Sequence, residues 1–270
     1  MSELRVMAWN VQDGLAKPEK AEAIAEKIYG IQPDITILSE GTPEGAPVVP
    51  AARRILEELG IVHVRPYNDI DGRRDKHNLV AVAKPEYGQP AISQPLGRTA
   101  MVFPEANGFA VAGLHGFDRY RDDQDAEYAR ERQLAMIIRQ ALKDAGPAII
   151  LGDLNAMYAG AKQAGMLKVA GKVAERFTPG EPGCEQSRFE RVVSLTRRLG
   201  SMATGDALHM ARREGFIDAD LDHQPTMPKG PIGVQLDHIL VRQGSVRSFN
   251  LHPHEGMSDH HAISATIVAL

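Results

Sequence analysis

Strand-like and helix-like stretches alternate along this chain, and several of the strands are continuous apolar runs. PAIILGDLN (147–155) is the clearest: an unbroken aliphatic stretch that closes in a polar cluster. A run of that kind belongs to a sheet covered on both faces. The pattern therefore restricts the chain to α/β architectures with packed layers. Further strands are expected at Leu4–Val11, Ile35–Glu40, Val62–Pro66, Leu79–Ala83, Phe109–His115 and Val234–Val241, and in the terminal AISATIVAL. Pro18 suits the first turn of a helix in which Ala21, Ile24, Ala25 and Ile28 line one face. Residues 41–50 are rich in Gly and Pro and read as loop. A short helix follows over Ala51–Leu59, and a long one over Asp122–Ala145. In the long helix Leu134, Ile137 and Ile138 face inward, while Arg130, Glu131, Arg139 and Lys143 are expected in solvent. Two more helices are expected near Phe189–Leu199 and Ala203–Glu214. There is no solenoid-period repeat, low-complexity tract or linker, so one domain over residues 1–270 is expected.

Composition excludes some classes. Hydrophobic residues make up 43% of the 270, enough for a substantial core. The formal net charge is −4, from 31 basic and 35 acidic side chains, so a strongly basic footprint for long duplex DNA is absent. Aromatics are 5%, which gives no support for an extended base-stacking platform. The one cysteine, Cys184, permits no internal disulfide and no cysteine-type zinc site. Neither a secretory leader nor a membrane-length apolar run is legible, so no membrane span and a cytoplasmic location are expected.

Polar residues recur where the strands finish. Asn10 closes the first, Glu40 the second, His115 follows FAVAGL, and Asp153 and Asn155 close PAIILGDLN. Asp237 and His238 interrupt VQLDHILV, and Asp259 and His260 precede the last strand. Strand ends are where a rigid α/β scaffold presents functional groups. Each residue alone has an ordinary explanation: a turn former, a cap, a solvated end. Asp237 is harder to explain so, because a charge inside an apolar strand needs a partner. Taken together, Glu40, Asp153 and Asp259 are hard oxygen ligands suited to Mg²⁺ or Mn²⁺. Asn10 and Asn155 can orient a carboxylate or a phosphate without adding charge. Asp237 with His260 makes a carboxylate–imidazole pair. Such a set suits metal-assisted hydrolysis of a phosphate ester.

In this the chain resembles the endonuclease/exonuclease/phosphatase superfamily, the deoxyribonuclease I-like fold. The matching elements stand in family order: Trp9-Asn10, Glu40, His115, Arg132-Gln133, GDLN (152–155), LDHILV (236–241) and SDH (258–260). The resemblance implies a four-layer α/β sandwich, two mostly antiparallel sheets packed face to face with helices outside. It implies metal-site roles for Glu40, Asn10 and Asp259, and a water-positioning role for Asp153. Asn155 and His115 would contact the phosphate or leaving group, and His260, oriented by Asp237, would assist proton transfer. Departures are Ala262 where proline is common, His238 where an aromatic is usual, and AMYAG after GDLN.

The expected function is a Mg²⁺- or Mn²⁺-dependent phosphodiesterase, a nuclease or a relative of one. Alternatives are a phosphomonoesterase for a small or lipid-linked phosphate, and a catalytically silent binding module of the same fold. A calcineurin-like phosphatase would need GNHE- and GHxH-type segments, which are absent. The expected partner is a phosphoester, with nucleic acid among the candidates. Arg73, Arg74, Lys76 and His77 form a basic cluster that could meet a phosphate chain or simply be solvated. His238 is expected to point away from Asp237 and to be structural. His252, His254 and His261 are too loosely spaced for a zinc site.

Overall fold

The computed structural model describes residues 2–66, 77–94, 99–116, 123–140, 142, 146–156, 207–228 and 235–270. In chain order the elements are β1 (Glu3–Asn10), α1 (Pro18–Ile31), β2 (Ile35–Pro43), α2 (Pro50–Leu59), β3 (Ile61–Pro66), β4 (His77–Ala83), β5 (Ala91–Ser93), β6 (Ala100–Ala106), β7 (Phe109–Leu114), α3 (Asp123–Gln140), β8 (Ala148–Asp153), α4 (Ala207–Arg213), β9 (Ile217–Asp218), β10 (Asp237–Arg242), β11 (Gly244–His252) and β12 (Ala262–Ala269).

The strands form two six-stranded sheets, ordered β11-β12-β1-β2-β4-β3 and β5-β6-β7-β8-β10-β9. Strand alternation makes the layers. In β1, Leu4, Val6 and Ala8 enter a core shared with Phe103, Val111, Ile149 and Ile239 of the other sheet. Met7 and Trp9 point the other way, into a core with Ile24 and Ile28 of α1 and Leu56 of α2. On the far side, Ile150 and Leu240 pack with Leu134 and Ile137 of α3 and Leu208 of α4. The result is the expected helix–sheet–sheet–helix sandwich. Close approach of the sheets requires a glycine: a Cβ on Gly113 would lie 2.2 Å from Ile37 Cδ1. Among the described residues no helix is long and apolar enough to cross a membrane.

Several boundaries differ from the sequence expectation. β2 runs through Glu40 to Pro43, its register with β4 broken between Leu38 and Thr42. The β-bulge lets the strand continue through Gly and Pro, which the composition of 41–50 had suggested were loop. β10 begins at Asp237, so this residue opens the strand instead of interrupting it. Arg130 of α3 is 5% exposed, not solvated; it lines a small cavity with Gly116, Gln133, Leu154 and Ala156. β5, β6, β9 and β11 had no clear sequence signal. β5 and β9 are only three and two residues long, and β11 is an edge strand with little buried apolar surface. The expected helix at Phe189–Leu199, residues 203–206 of another, and Arg73, Arg74 and Lys76 lie outside the described residues.

Candidate active site

Strand direction gathers the polar ends. β1 runs parallel to β2, and β7 parallel to β8, so Asn10, Glu40, His115 and Asp153 emerge at one end of the sandwich. β10 runs antiparallel to β8, placing its first residue, Asp237, opposite Asp153. β12 runs antiparallel to β1, which brings the Ser258–His260 segment to the same end.

Asn10 joins the two sheets. Its Nδ2 donates to Glu40 Oε1 at 3.0 Å and to Asp153 Oδ2 at 3.0 Å. Its Oδ1 accepts the Gln12 N–H at 3.1 Å, which fixes the amide orientation. Asn10 thus meets both carboxylates through its nitrogen. Glu40 sits in the β2 bulge with φ 48°, a backbone conformation uncommon for a non-glycine residue and one that turns its side chain into the site. Asp153 is 2% exposed and both its oxygens are used: Oδ2 by Asn10, Oδ1 by the Asn155 N–H at 3.0 Å.

Asp237 and His260 form the expected pair. His260 Nδ1–H donates to Asp237 Oδ2 at 2.7 Å. Burial disfavours the imidazolium, but Asp237, its hydrogen bond, and the nearby Asp153 and Asp259 outweigh this and push the His260 pKa up to about 10. Burial alone would raise the Asp237 carboxyl; the His260 charge and its hydrogen bond overcome this and hold the group ionised. Asp153 is moved the other way: burial first, then the Asp237 charge, raises its pKa against the opposing pull of the His260 charge and the Asn10 hydrogen bond. One ligand atom each from Asp153, Asp237 and His260 lie within 4.8 Å of one another. Asp259 is half-buried beside this trio and outside it.

The His260 backbone is held as firmly as its ring. Trp9 Nε1–H donates to His260 O at 2.9 Å, Ser258 Oγ–H donates to Asn10 O at 2.6 Å, and the His260 N–H donates to Ser258 Oγ at 3.2 Å.

His115, 1% exposed, stands 3.6 Å from Asp153 Oδ2 and 4.0 Å from Glu40 Oε1 through its Nε2. Asn155 Nδ2 lies 3.1 Å from the same nitrogen and donates to Gly116 O at 3.3 Å. That second bond identifies the nitrogen of the amide, so His115 Nε2 acts as acceptor toward it. Gln133, from the Arg132-Gln133 element, donates to His115 O at 3.3 Å.

All eight residues expected in the site are therefore at one end of the sandwich. Thr226 was not expected there. It is fully buried, its Oγ1 accepts the Asp237 N–H at 3.1 Å, and its carbonyl accepts the His261 N–H at 2.6 Å. Its sequence surroundings, QPTMP, carry no periodicity that could have singled it out. Asp218 was missed likewise: its Oδ2 accepts from His238 Nδ1 at 2.7 Å. His261 stacks on His254, ring centroids 5.0 Å apart, and His252 meets Ser264 Oγ at 2.8 Å. His77 is paired with Asp13 at 2.8 Å.

The family model described as Endonuclease/Exonuclease/phosphatase family matches residues 7–260. Among curated proteins none matches the chain. Solved structures with the same fold include an endonuclease/exonuclease/phosphatase from Beutenbergia cavernae DSM 12333 (16% identity, 100% of this chain and 72% of that one, TM-score 0.60). Another is the 3'-5' exonuclease NExo from Neisseria meningitidis (17% identity, 97% and 98% covered, TM-score 0.58). A third is D. rerio TDP2 complexed with single strand DNA product (14% identity, 99% and 99% covered, TM-score 0.54). With almost its whole length matched and the family's polar set gathered at one end of the sandwich, the chain belongs to the endonuclease/exonuclease/phosphatase family.

Proposed function

We propose that this protein is a divalent-cation-dependent phosphodiesterase that hydrolyses its substrate by in-line attack of water. The observation that carries the reading is the buried Asp237–His260 pair set against Asp153, with Asn10 tying Asp153 to Glu40. The donor set fits Mg²⁺ or Mn²⁺: Glu40, Asp153 and Asp259 offer hard oxygens, and burial beside Asp237 leaves the Asp153 carboxylate short of positive charge. Glu40 and Asp259 would hold the ion, with Asn10 beside Glu40. The chemistry such an ion supplies when bound is polarisation of the phosphoryl oxygen and stabilisation of the leaving oxyanion.

The remaining work falls to the chain's own residues. Asp153, fixed through both oxygens, orients the attacking water and accepts its proton. His260, protonated and held by Asp237, donates toward the phosphate and steadies the charge that develops on it. Asn155 and His115 meet the phosphate or the leaving group. Nucleic acid is the first substrate class to test, supported by the neighbouring Neisseria exonuclease and the TDP2 bound to single strand DNA product. The net charge of −4 favours a second reading, a small or lipid-linked phosphoester.

The test is an activity panel of single-stranded DNA, duplex DNA, RNA, abasic DNA and small phosphoesters, with Mg²⁺, with Mn²⁺ and with chelator. Asp153→Ala serves as background. Turnover that needs the cation and disappears in Asp153→Ala supports the reading. Turnover retained in Asp153→Ala removes the mechanism, and silence across the whole panel favours a binding module.

A further inference from the structure

We propose that His238 is a positioning residue: its buried imidazolium ties the turn that carries Asn155 to β9 and thereby fixes the Asn155 amide against His115. The proposal rests on the phosphodiesterase reading above and adds a residue to it.

His238 Nδ1 lies 2.7 Å from Asp218 Oδ2, and Nε2 lies 2.8 Å from Ala156 O. A carboxylate and a carbonyl only accept. Both ring nitrogens must therefore donate, and the ring is doubly protonated. The two side chains are 0% and 2% exposed, so the charge pair is shielded from solvent. Asp218 is itself anchored, its Oδ1 accepting the Asp220 N–H at 3.1 Å. A doubly bonded, charged ring of this kind is a rigid strut, because losing either partner leaves a buried charge poorly compensated.

The strut ends one residue from the chemistry. Ala156 directly follows Asn155, whose φ of 49° requires its surroundings to hold it. The entrance of the turn is held by the Leu154 N–H on Leu236 O at 2.9 Å and the Asn155 N–H on Asp153 Oδ1 at 3.0 Å. His238 holds its exit. Consecutive residues of β10 thus serve opposite halves of the site: Asp237 steadies His260, and His238, on the other face of the strand, steadies Asn155.

The test compares wild type, His238→Phe, Asp218→Asn, Asn155→Ala and the His238→Phe/Asn155→Ala double variant. Kinetics use bis-p-nitrophenyl phosphate with Mn²⁺, and amide exchange is measured on the metal-free proteins. His238→Phe should lower kcat about tenfold or more with KM within about twofold, the loss expected of a slightly displaced group. The same change should cost little in the Asn155→Ala background, since the two act as one unit. Asp218→Asn, which keeps a hydrogen-bonding partner, should lose less. In the exchange experiment the amides of Leu154, Asn155 and Ala156 should open faster while those of 149–151 stay protected.

An equal kcat loss in both backgrounds, or unchanged exchange at 154–156, would overturn the proposal. If wild type is inactive on every phosphoester, the parent reading falls, and the exchange data still decide whether His238 holds the turn. Should His238→Phe not fold, Asp218→Asn carries the same comparisons.

Discussion

Asp237 Oδ2 receives the His260 Nδ1–H at 2.7 Å across the joint between the two sheets, one residue opening β10 and the other preceding β12. Asn10 and Asp153 span the same joint at 3.0 Å. The site is thus built where the two sheets meet at their polar end, and each half depends on the other for its charge balance.

Removing the Asp237 charge should leave His260 in place and deprive its imidazolium of a counter-ion. Asp237→Asn is expected to lower kcat on a phosphodiester by about 100-fold or more, the scale of a lost acid–base contribution. The far-UV circular dichroism should be unchanged. His261→Ala, one residue from His260, should keep kcat within about threefold, an effect under ~1 kcal/mol.

Asn10 separates two carboxylates by donating to both. Asn10→Asp replaces that donor with a third negative charge of the same shape. The melting temperature in chelator should fall by about 5 °C, the shift that ~2 kcal/mol produces in a domain of this size. Added Mg²⁺ should recover part of the loss. An unchanged melting curve in chelator would show that Asn10 does not mediate between Glu40 and Asp153.

His63 of β3 is 4% exposed and packs edge-on against Phe103 with ring centroids 6.0 Å apart. Burial, then the Arg65 charge, lowers its pKa below 6.5, against a weaker upward pull from Gln89. The unfolded chain therefore binds the proton more readily than the folded one. The stabilisation is complete above pH 6.5 and is lost as pH falls below it toward the folded-state value. His63→Gln should show a smaller drop in melting temperature between pH 7.5 and pH 5.5 than wild type does. Equal drops would rule His63 out as a source of the acid sensitivity.

Gly152 precedes Asp153 with φ 139°, and a Cβ there would sit 1.9 Å from Leu114 O. That neighbour is backbone and cannot rotate away. Gly152→Ala should cost about 3 kcal/mol or more in chemical denaturation. Gly45→Ala, at φ 78° with open space around it, should cost only about 1 kcal/mol of backbone strain.

The sequence by itself determined the α/β layering and which polar residues stand at the strand ends of the candidate site. Apolar runs such as AIIL identified covered strands, and the spacing of Ala21, Ile24, Ala25 and Ile28 identified the buried face of α1, because burial periodicity is a local property of the chain. Weak strands were not legible: β11 is half-exposed and β9 has two residues, so neither leaves an apolar signature. Tertiary structure alone decided three things. It put Asp237 at the start of β10 opposite Asp153, because only the antiparallel register brings those ends together. It buried Arg130 beside Gly116, Leu154 and Ala156, and it buried Asp218, whose partner His238 comes from another strand. And it gave Thr226 and His238 their work. A hydrogen bond between residues far apart in the chain has no local pattern, so it exists only once the two sheets have closed on each other.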